Sequence, residues 1–184
     1  MEKVYMRKET LIPQGIEVKA EKGQITVKGP AGELKKPYRE DAVAIETKEG
    51  KAVVASKNET RRFKALAGTY RAHIANMVSG VSGGYEARLK IVHSHFPIKV
   101  KAEKDRLVIE NFLGEKESKS VATAGRVEIK VEKDEITVTG IDREEVGLAA
   151  ARIERATRIR GFDRRVFQDG IYLTQRAIPR AQVK

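Results

Sequence analysis

From residue 16 the chain reads Ile16-Glu-Val-Lys-Ala-Glu-Lys-Gly-Gln-Ile-Thr-Val-Lys-Gly-Pro-Ala-Gly-Glu33, and this stretch decides the fold because it occurs twice. The second copy is Ile98-Lys-Val-Lys-Ala-Glu-Lys-Asp-Arg-Leu-Val-Ile-Glu-Asn-Phe-Leu-Gly-Glu115. The two copies align without a gap at an offset of 82 residues, and eight of their 18 positions are identical. A long repeat that occurs only twice predicts a duplicated domain, because a solenoid needs several shorter repeats to bury its core.

The first copy has the alternation of apolar and polar residues that is typical of β-strands. Residues 16–20 and 25–28 alternate on either side of a turn at Lys22-Gly23, which predicts a hairpin. Residues 29–32 then interrupt the strand, because proline cannot donate to a sheet and glycine tolerates a tight turn. A second hairpin is predicted from Ala42 to Ser56.

One helix follows the hairpins in each copy. Asn58 is the predicted N-cap of the first helix, which carries an apolar stripe at helical spacing and ends at Gly80. In the second copy the last hairpin covers Glu128–Gly140, and Asp142 is predicted to cap a helix that runs from Arg143 to Arg158. The predicted fold class is α+β, with two duplicated small domains, each an antiparallel sheet packed by one helix.

The repeat also predicts the domain boundaries. We expect an N-terminal α+β repeat over residues 1–82 and a C-terminal α+β repeat over residues 83–174. The glycine-rich stretch Ser79–Gly84 is interpreted as the join between them, and residues 175–184 as a basic C-terminal tail.

The charge of the chain indicates a polyanionic partner. Its 184 residues include 37 Lys and Arg against 26 Asp and Glu, which gives a net charge of +11 at pH 7. A surplus of this size favours nucleic acid or an acidic surface as the partner. The chain has no cysteine, which excludes disulfides and thiolate metal sites. It contains neither a signal peptide nor the roughly 18 apolar residues of a membrane helix, so we expect a cytoplasmic protein without a membrane partner.

The positive charge is concentrated at the C-terminal end. From Arg152 to Lys184, eight Arg and one Lys face three acidic residues, so this block carries six of the eleven net charges. Residues 1–151 carry only +5, so we expect the first domain to be less engaged with a polyanion. Guanidinium groups bind phosphate in a bidentate manner, which favours RNA binding by the C-terminal repeat over a merely solvated basic face. The candidate RNA-binding residues are Arg152, Arg155, Arg158, Arg160, Arg164, Arg165, Arg176 and Arg180.

Other kinds of site receive little support from the sequence. His93-x-His95 would place two imidazoles on one face of a strand, but a third metal ligand is missing, so no metal site is predicted. No carboxylate sits beside a histidine and no serine lies in a nucleophile elbow, so no catalytic residue, cofactor or small-molecule substrate is predicted. Aromatic residues make up only 5% of the chain, and no strand has the pattern that stacks bases. We therefore expect recognition through phosphate contacts and shape.

Three sets of residues resemble a known family. They are Ile12–Ile16 with Val27–Leu34, then Gly68–Ala72 with Asn76–Tyr85, and finally Ser94–Pro97. Together they are similar to the universal large-subunit ribosomal protein six, the L-six family, over nearly the whole chain. The middle set is the most specific. The loop from Arg160 to Tyr172 resembles the archaeal or eukaryotic type of this family and differs from the bacterial one.

The resemblance implies a two-domain α+β duplication and a non-enzymatic protein of the large ribosomal subunit. It further implies that the C-terminal domain contacts large-subunit ribosomal RNA near the sarcin–ricin region and the stalk base, where translational GTPases dock. Neighbouring large-subunit and stalk-base proteins are then the expected protein partners. Two alternatives remain, a free-standing RNA- or DNA-binding adaptor of the same fold and an enzyme acting on phosphorylated substrates.

Overall fold

The computed structural model describes residues 6–48, 50–103, 106–123 and 126–180. The chain divides into two compact units, Met1–Gly84 and Tyr85–Lys184. Within the described residues, neither helix combines the length and the apolar run that crossing a membrane would require.

The first unit contains six strands and then one helix within its described residues. The elements are β1 (Met6–Leu11), β2 (Glu17–Glu21), β3 (Gln24–Gly29), β4 (Gly32–Pro37), β5 (Val43–Lys48), β6 (Lys51–Ser56) and α1 (Arg61–Gly83). The strands form two antiparallel sheets with the orders β1-β6-β5 and β2-β3-β4. The helix packs on both sheets and covers their apolar faces.

The second unit repeats this order and adds a strand after the helix. The elements are β7 (Tyr85–Val92), β8 (Lys99–Ala102), β9 (Arg106–Glu110), a 3-10 turn (Phe112–Gly114), β10 (Lys119–Ala122), β11 (Val127–Glu132), β12 (Glu135–Gly140), α2 (Arg143–Ala156) and β13 (Gly170–Pro179). The sheets have the orders β10-β9-β8 and β11-β12-β7-β13, again with antiparallel pairing.

The two units differ at one edge of one sheet. β7 takes the place of β1, because each pairs with the last hairpin strand of its own unit, β12 or β6. The other edge of β7 pairs with β13, whereas β1 ends its sheet in the described part of the first unit. The second unit is thus the first unit plus one strand and the loop that leads to it.

The α+β class and the duplication are confirmed, and each unit has two sheets where a single sheet was expected. Residues 29–32 interrupt the strand, as predicted, by forming the turn from β3 into β4, where Gly29 and Gly32 face each other across a tight hairpin. The predicted turn at Lys22-Gly23 has positive φ at both residues, +49° and +74°, which matches the right-handed twist of the hairpin strands.

The first helix begins and ends later than predicted. Its N-cap is Thr60, and the side chain of Asn58 instead accepts a hydrogen bond from the Thr60 N–H at 3.2 Å. The helix continues to Gly83, so the glycine-rich stretch is its last turn and not a separate join. The reason is packing, because Val81 is fully buried in the first unit and its carbonyl oxygen accepts from the Ala31 N–H at 2.9 Å.

The second helix begins as predicted and ends earlier. The Asp142 side chain accepts from the Glu144 N–H at 2.9 Å, which confirms the N-cap. The helix ends at Ala156, two residues before the expected end, and this changes the environment of Ile159. A helical wheel places Ile159 on the solvent side, but outside the helix its side chain turns inward and is buried. Leu148 is exposed, as the wheel predicts.

The close approach of Gly29 to α1 predicts a destabilising substitution. In Gly29→Ala the new Cβ would lie 2.7 Å from Val81 Cγ2 and 3.0 Å from the Val81 carbonyl oxygen. Relieving this contact has to move backbone, so we expect a loss of roughly 1–3 kcal/mol in the unfolding free energy of the first unit. Chemical denaturation followed by circular dichroism measures it.

The matched control is Gly83→Ala, which lies in the same unit and meets no atom within 4 Å. Alanine in a helix is better than glycine by up to about 1 kcal/mol, so this variant is expected to lose no stability. Equal stability of the two variants would contradict the close contact between Gly29 and Val81.

Candidate nucleic-acid interface

The first two candidate arginines lie on the solvent face of α2. Val146, Ala149 and Ile153 are buried against the sheets, which leaves Arg152 and Arg155 exposed on the opposite side. Arg155 is in the last turn, where a positive charge interacts favourably with the negative end of the helix dipole.

The end of α2 is tied to the beginning of β13. The hydroxyl of the buried Thr157 accepts from the Ile171 N–H at 2.9 Å, and Glu154 Oε1 accepts from the Leu173 N–H at 3.1 Å. These two bonds fix the point at which the chain leaves the helix. The direction of the following segment, which begins with Arg158, is therefore set by the sheet.

Two clefts share Arg155 and Arg158 among the residues that line them. The first, of about 420 Å³, also contains Arg164 and Tyr172, and we call it the Tyr172 cleft. The second, of about 300 Å³, also contains Arg160 and Lys119, and we call it the Lys119 cleft. In that cleft, the Lys119 ammonium lies 4.2 Å from the centre of the Phe112 ring.

Four of the eight candidates are thus brought together, and we call them the arginine cluster: Arg155, Arg158, Arg160 and Arg164. All four are exposed, and no acidic side chain of the described residues lies within ion-pair distance of them. The two glutamates in the clefts have other partners. Glu154 accepts from the backbone of β13, and Glu115 pairs with Lys119 at 3.0 Å.

The other four candidates are exposed but lie outside both clefts. Arg152 is on α2, and Arg165 is on the loop after it, where its N–H donates to Asp163 Oδ1 at 2.9 Å. Arg176 is on β13, and Arg180 follows that strand, with its Nε 3.8 Å from a carboxylate oxygen of Glu86. Residues 175–179, expected in a basic tail, belong to the sheet because they pair with β7, and residues 181–184 lie outside the described residues.

Each half of the chain also matches a known family. The family described as Ribosomal protein L6 matches residues 12–84 and residues 96–170, one match within each unit. The chain is 43% identical to the large ribosomal subunit protein uL6 of Methanocella arvoryzae over 171 residues, which cover 92% of this chain and 97% of that protein. It is 45% identical to uL6 of Methanobrevibacter smithii over 168 residues, covering 91% and 94%, and 43% identical to uL6 of Methanosarcina mazei over 166 residues, covering 90% and 94%.

This chain belongs to the ribosomal protein L6 family. The resemblance stated from the sequence, including its archaeal character, is confirmed by these relatives. These relatives are named as ribosomal proteins, and the expectation of a non-enzymatic protein is thereby confirmed.

Within this family member, a buried carboxylate holds the arginine-bearing loop. The side chain of Asp169 is fully buried and accepts from the N–H groups of Ser94 and His95, the latter at 3.2 Å. His95 Nδ1 lies 2.8 Å from the second carboxylate oxygen. Burial would raise the pKa of Asp169, but the hydrogen bonds from Ser94 and His95 hold this pKa below its ordinary value.

Aromatic contacts reinforce the same anchor. The Phe167 ring lies 4.6 Å from the His95 ring and 5.0 Å from the Phe162 ring, measured between centroids. The loop before β13 is therefore attached to residues 94–95 by both its charge and its apolar side chains.

The histidines are not a metal pair. β7 ends at Val92, so His93 and His95 lie in a loop and not on one face of a strand, which corrects the expected placement. They have separate partners, since His93 Nε2 lies 3.8 Å from Asp134 while His95 binds Asp169. Across the described ranges, no three His, Cys, Asp or Glu residues come together in a way that could hold a metal ion.

Sequence reasoning missed three residues of this region: Lys119, Asp169 and Tyr172. Lys119 comes from a strand of the repeat that was not predicted. Asp169 and Tyr172 lie in a segment that was interpreted as a loop because of its arginines and glycines. A strand could have been predicted in this segment, because every second residue, Ile171, Leu173 and Gln175, points inward.

The anchor predicts a change in acid stability. A carboxylate with a lowered folded-state pKa stabilises the fold above its unfolded pKa, and this contribution is lost as the pH falls through the folded value. In the wild type, the unfolding free energy of the second unit should therefore decrease as the pH is lowered below 3.8, the ordinary pKa of an aspartate carboxyl group. Asp169→Asn should be less stable at pH 7 by roughly 1–3 kcal/mol and should lose less stability on acidification.

The matched control is Asp163→Asn, on the same loop, where the side chain is exposed. Denaturant unfolding from pH 3 to 7 compares the three proteins, and the control should follow the wild type. An Asp169→Asn variant with the full acid-induced loss would show that another carboxylate is responsible.

Proposed function

We propose that this protein is a structural component of the large ribosomal subunit and binds large-subunit ribosomal RNA through the arginine cluster. The observation that carries the proposal is the convergence of four exposed arginines on one surface, with no acidic partner among the residues that the structure describes. The relatives named as large-subunit proteins support the assignment to that subunit.

The proposal includes the location that the family resemblance implies. The second unit binds near the sarcin–ricin region and the stalk base, on cytoplasmic ribosomes, beside neighbouring large-subunit and stalk-base proteins and close to the docking site of translational GTPases. Arg152, Arg165, Arg176 and Arg180 contribute further contacts, since they are exposed outside both clefts.

The chemistry of the cluster suits phosphate groups. A guanidinium has a fixed fork of donors that matches two phosphate oxygens, and it is always charged. Carboxylates that could neutralise the cluster are engaged with a backbone N–H or with Lys119. Arginines on a solvated face usually have neighbouring acids, whereas these four are available to an external polyanion.

Phosphate binding predicts a steep dependence of RNA affinity on salt. Neutralising four phosphates gives a slope of about −3 in a plot of log affinity against log salt. Replacing Arg155 and Arg158 together by Gln should make the slope shallower by about half, because each phosphate contact contributes roughly equally. Filter binding to large-subunit ribosomal RNA at several salt concentrations measures the slopes.

The matched control replaces Arg61 and Arg62, two exposed arginines at the start of α1, by Gln. It removes the same charge from the first unit and should leave the slope close to that of the wild type. A salt-independent affinity of the wild type, or equal effects of the two double variants, would contradict binding through the arginine cluster.

Assembly provides a second test. The tagged wild-type protein should co-sediment with large subunits, and reversal of Arg164 and Arg165 to Glu should reduce its incorporation several-fold. Exposed loop arginines contribute little to the core, so circular dichroism and thermal unfolding should remain unchanged. A wild-type protein that sediments free of large subunits would favour the free-standing adaptor.

A further inference from the structure

The ring of Tyr172 is held in one position at the wall of the Tyr172 cleft. Its hydroxyl donates to the carbonyl oxygen of Gln168 at 3.0 Å. The ring lies over Gly170, where an added Cβ would be 3.4 Å from the ring atoms Cε2 and Cζ. Residues two apart on a strand point to the same side, so the missing side chain of Gly170 leaves room for the ring. Tyr172 still keeps 39% of its surface exposed.

The cleft combines this ring with an apolar floor and a cationic rim. Ile159 and Ile171 line it and are at least nine-tenths buried, while Arg155 and Arg158 contribute positive charge. A volume of about 420 Å³ falls in the range of roughly 300–1,000 Å³ that is typical of small-ligand sites. An aromatic and apolar surface beside guanidinium groups fits a nucleotide, which presents a flat base next to a phosphate.

Glu154 gives the cleft a direction. Its carboxylate lines the wall and repels phosphate, whereas base amino groups can donate to it. The phosphates are therefore expected on the side of Arg158 and Arg164, with the base between Glu154 and the Tyr172 ring. The Lys119 cleft shares Arg155 and Arg158 with the Tyr172 cleft and adds Lys119 and Arg160, so positive charge for further phosphates continues beyond one nucleotide. A polynucleotide can occupy both clefts at once, whereas a free mononucleotide can occupy only one of them.

We propose that the Tyr172 cleft holds one unpaired nucleotide of RNA, with its base stacked on the Tyr172 ring and its phosphates bound by the arginine cluster. This inference rests on the proposed function, and it adds the kind of RNA structure that the protein selects. A fully paired helix keeps its bases inside the stack and offers only phosphates. A bulged or splayed nucleotide also fills the cleft.

Two RNA hairpins of the same stem sequence test the inference, one fully paired and one with a single bulged nucleotide. The full-length wild type should bind the bulged hairpin more tightly by roughly 5- to 100-fold, the range found for stacking one base on an aromatic side chain. Tyr172→Phe keeps the ring and should keep the preference. Tyr172→Leu keeps the apolar bulk without the aromatic face and should bind both hairpins equally, at the affinity of the paired hairpin.

A fluorescent base gives an independent measurement that needs no variant. 2-Aminopurine at the bulge should be quenched when the wild type binds, because stacking on an aromatic ring quenches its emission. Equal affinity of the wild type for the two hairpins, an unquenched bulge, or a preference that survives in Tyr172→Leu would overturn the inference. If the wild type binds both hairpins equally and with the steep salt dependence, RNA binding through the arginine cluster is supported and the stacking on Tyr172 is refuted. If the wild type binds neither hairpin, both the proposed function and the stacking on Tyr172 are refuted.

Discussion

The buried carboxylate of Asp169 is the constraint on which the arginine surface depends. Removing a charge from water costs several kcal/mol unless hydrogen bonds replace the lost solvation. Ser94 and His95 supply those bonds, so their loop and the loop before β13 are stable only together. β13 begins at the next residue, Gly170, and its pairing with β7 then fixes Tyr172 and the end of α2. The positions of Arg158 and Arg164 follow from this one anchored point.

Much of the fold could be predicted because its signals are local. The hairpin turn at Lys22-Gly23 and the Asp142 cap each depend on a few neighbouring residues, and the structure has them where expected. The duplication is visible because whole strands recur in the sequence. β13 was missed because its signal is mixed. Ile171, Leu173 and Ala177 alternate inward, but the polar Gln175 shares their side and the preceding segment is rich in arginine and glycine. The end of α1 was misplaced for another reason, since the buried Val81 keeps glycine-rich residues helical.

The segment that contains the candidate site could be predicted from the sequence, but the arginines that converge within that segment could not. Charge alone does not separate the units, because residues 1–84 hold 16 basic and 10 acidic residues and residues 85–184 hold 21 and 16. The second unit differs from the first in its arginine content, because it holds 12 of the 17 arginines of the chain. Which of them converge depends on where α2 ends and how the loop is anchored, and both are tertiary effects. The scarcity of aromatic residues predicted recognition through phosphate contacts and shape, and the proposed stacking on the Tyr172 ring, which contacts Gly170 and Gln168, would add to those contacts.

The extra strand links stability to binding in the second unit. An unpaired sheet edge exposes backbone donors and acceptors, and β13 covers the edge of β7 that corresponds to the outer edge of β1. The segment that carries Arg158, Arg160 and Arg164 is the connection to this strand, so the sheet cannot be completed without presenting the arginines. Duplication supplied two similar scaffolds, and the one whose sheet is extended in the described residues carries the arginine cluster. A binding surface placed on such a connection is kept in position by backbone pairing on one side and by Asp169 on the other.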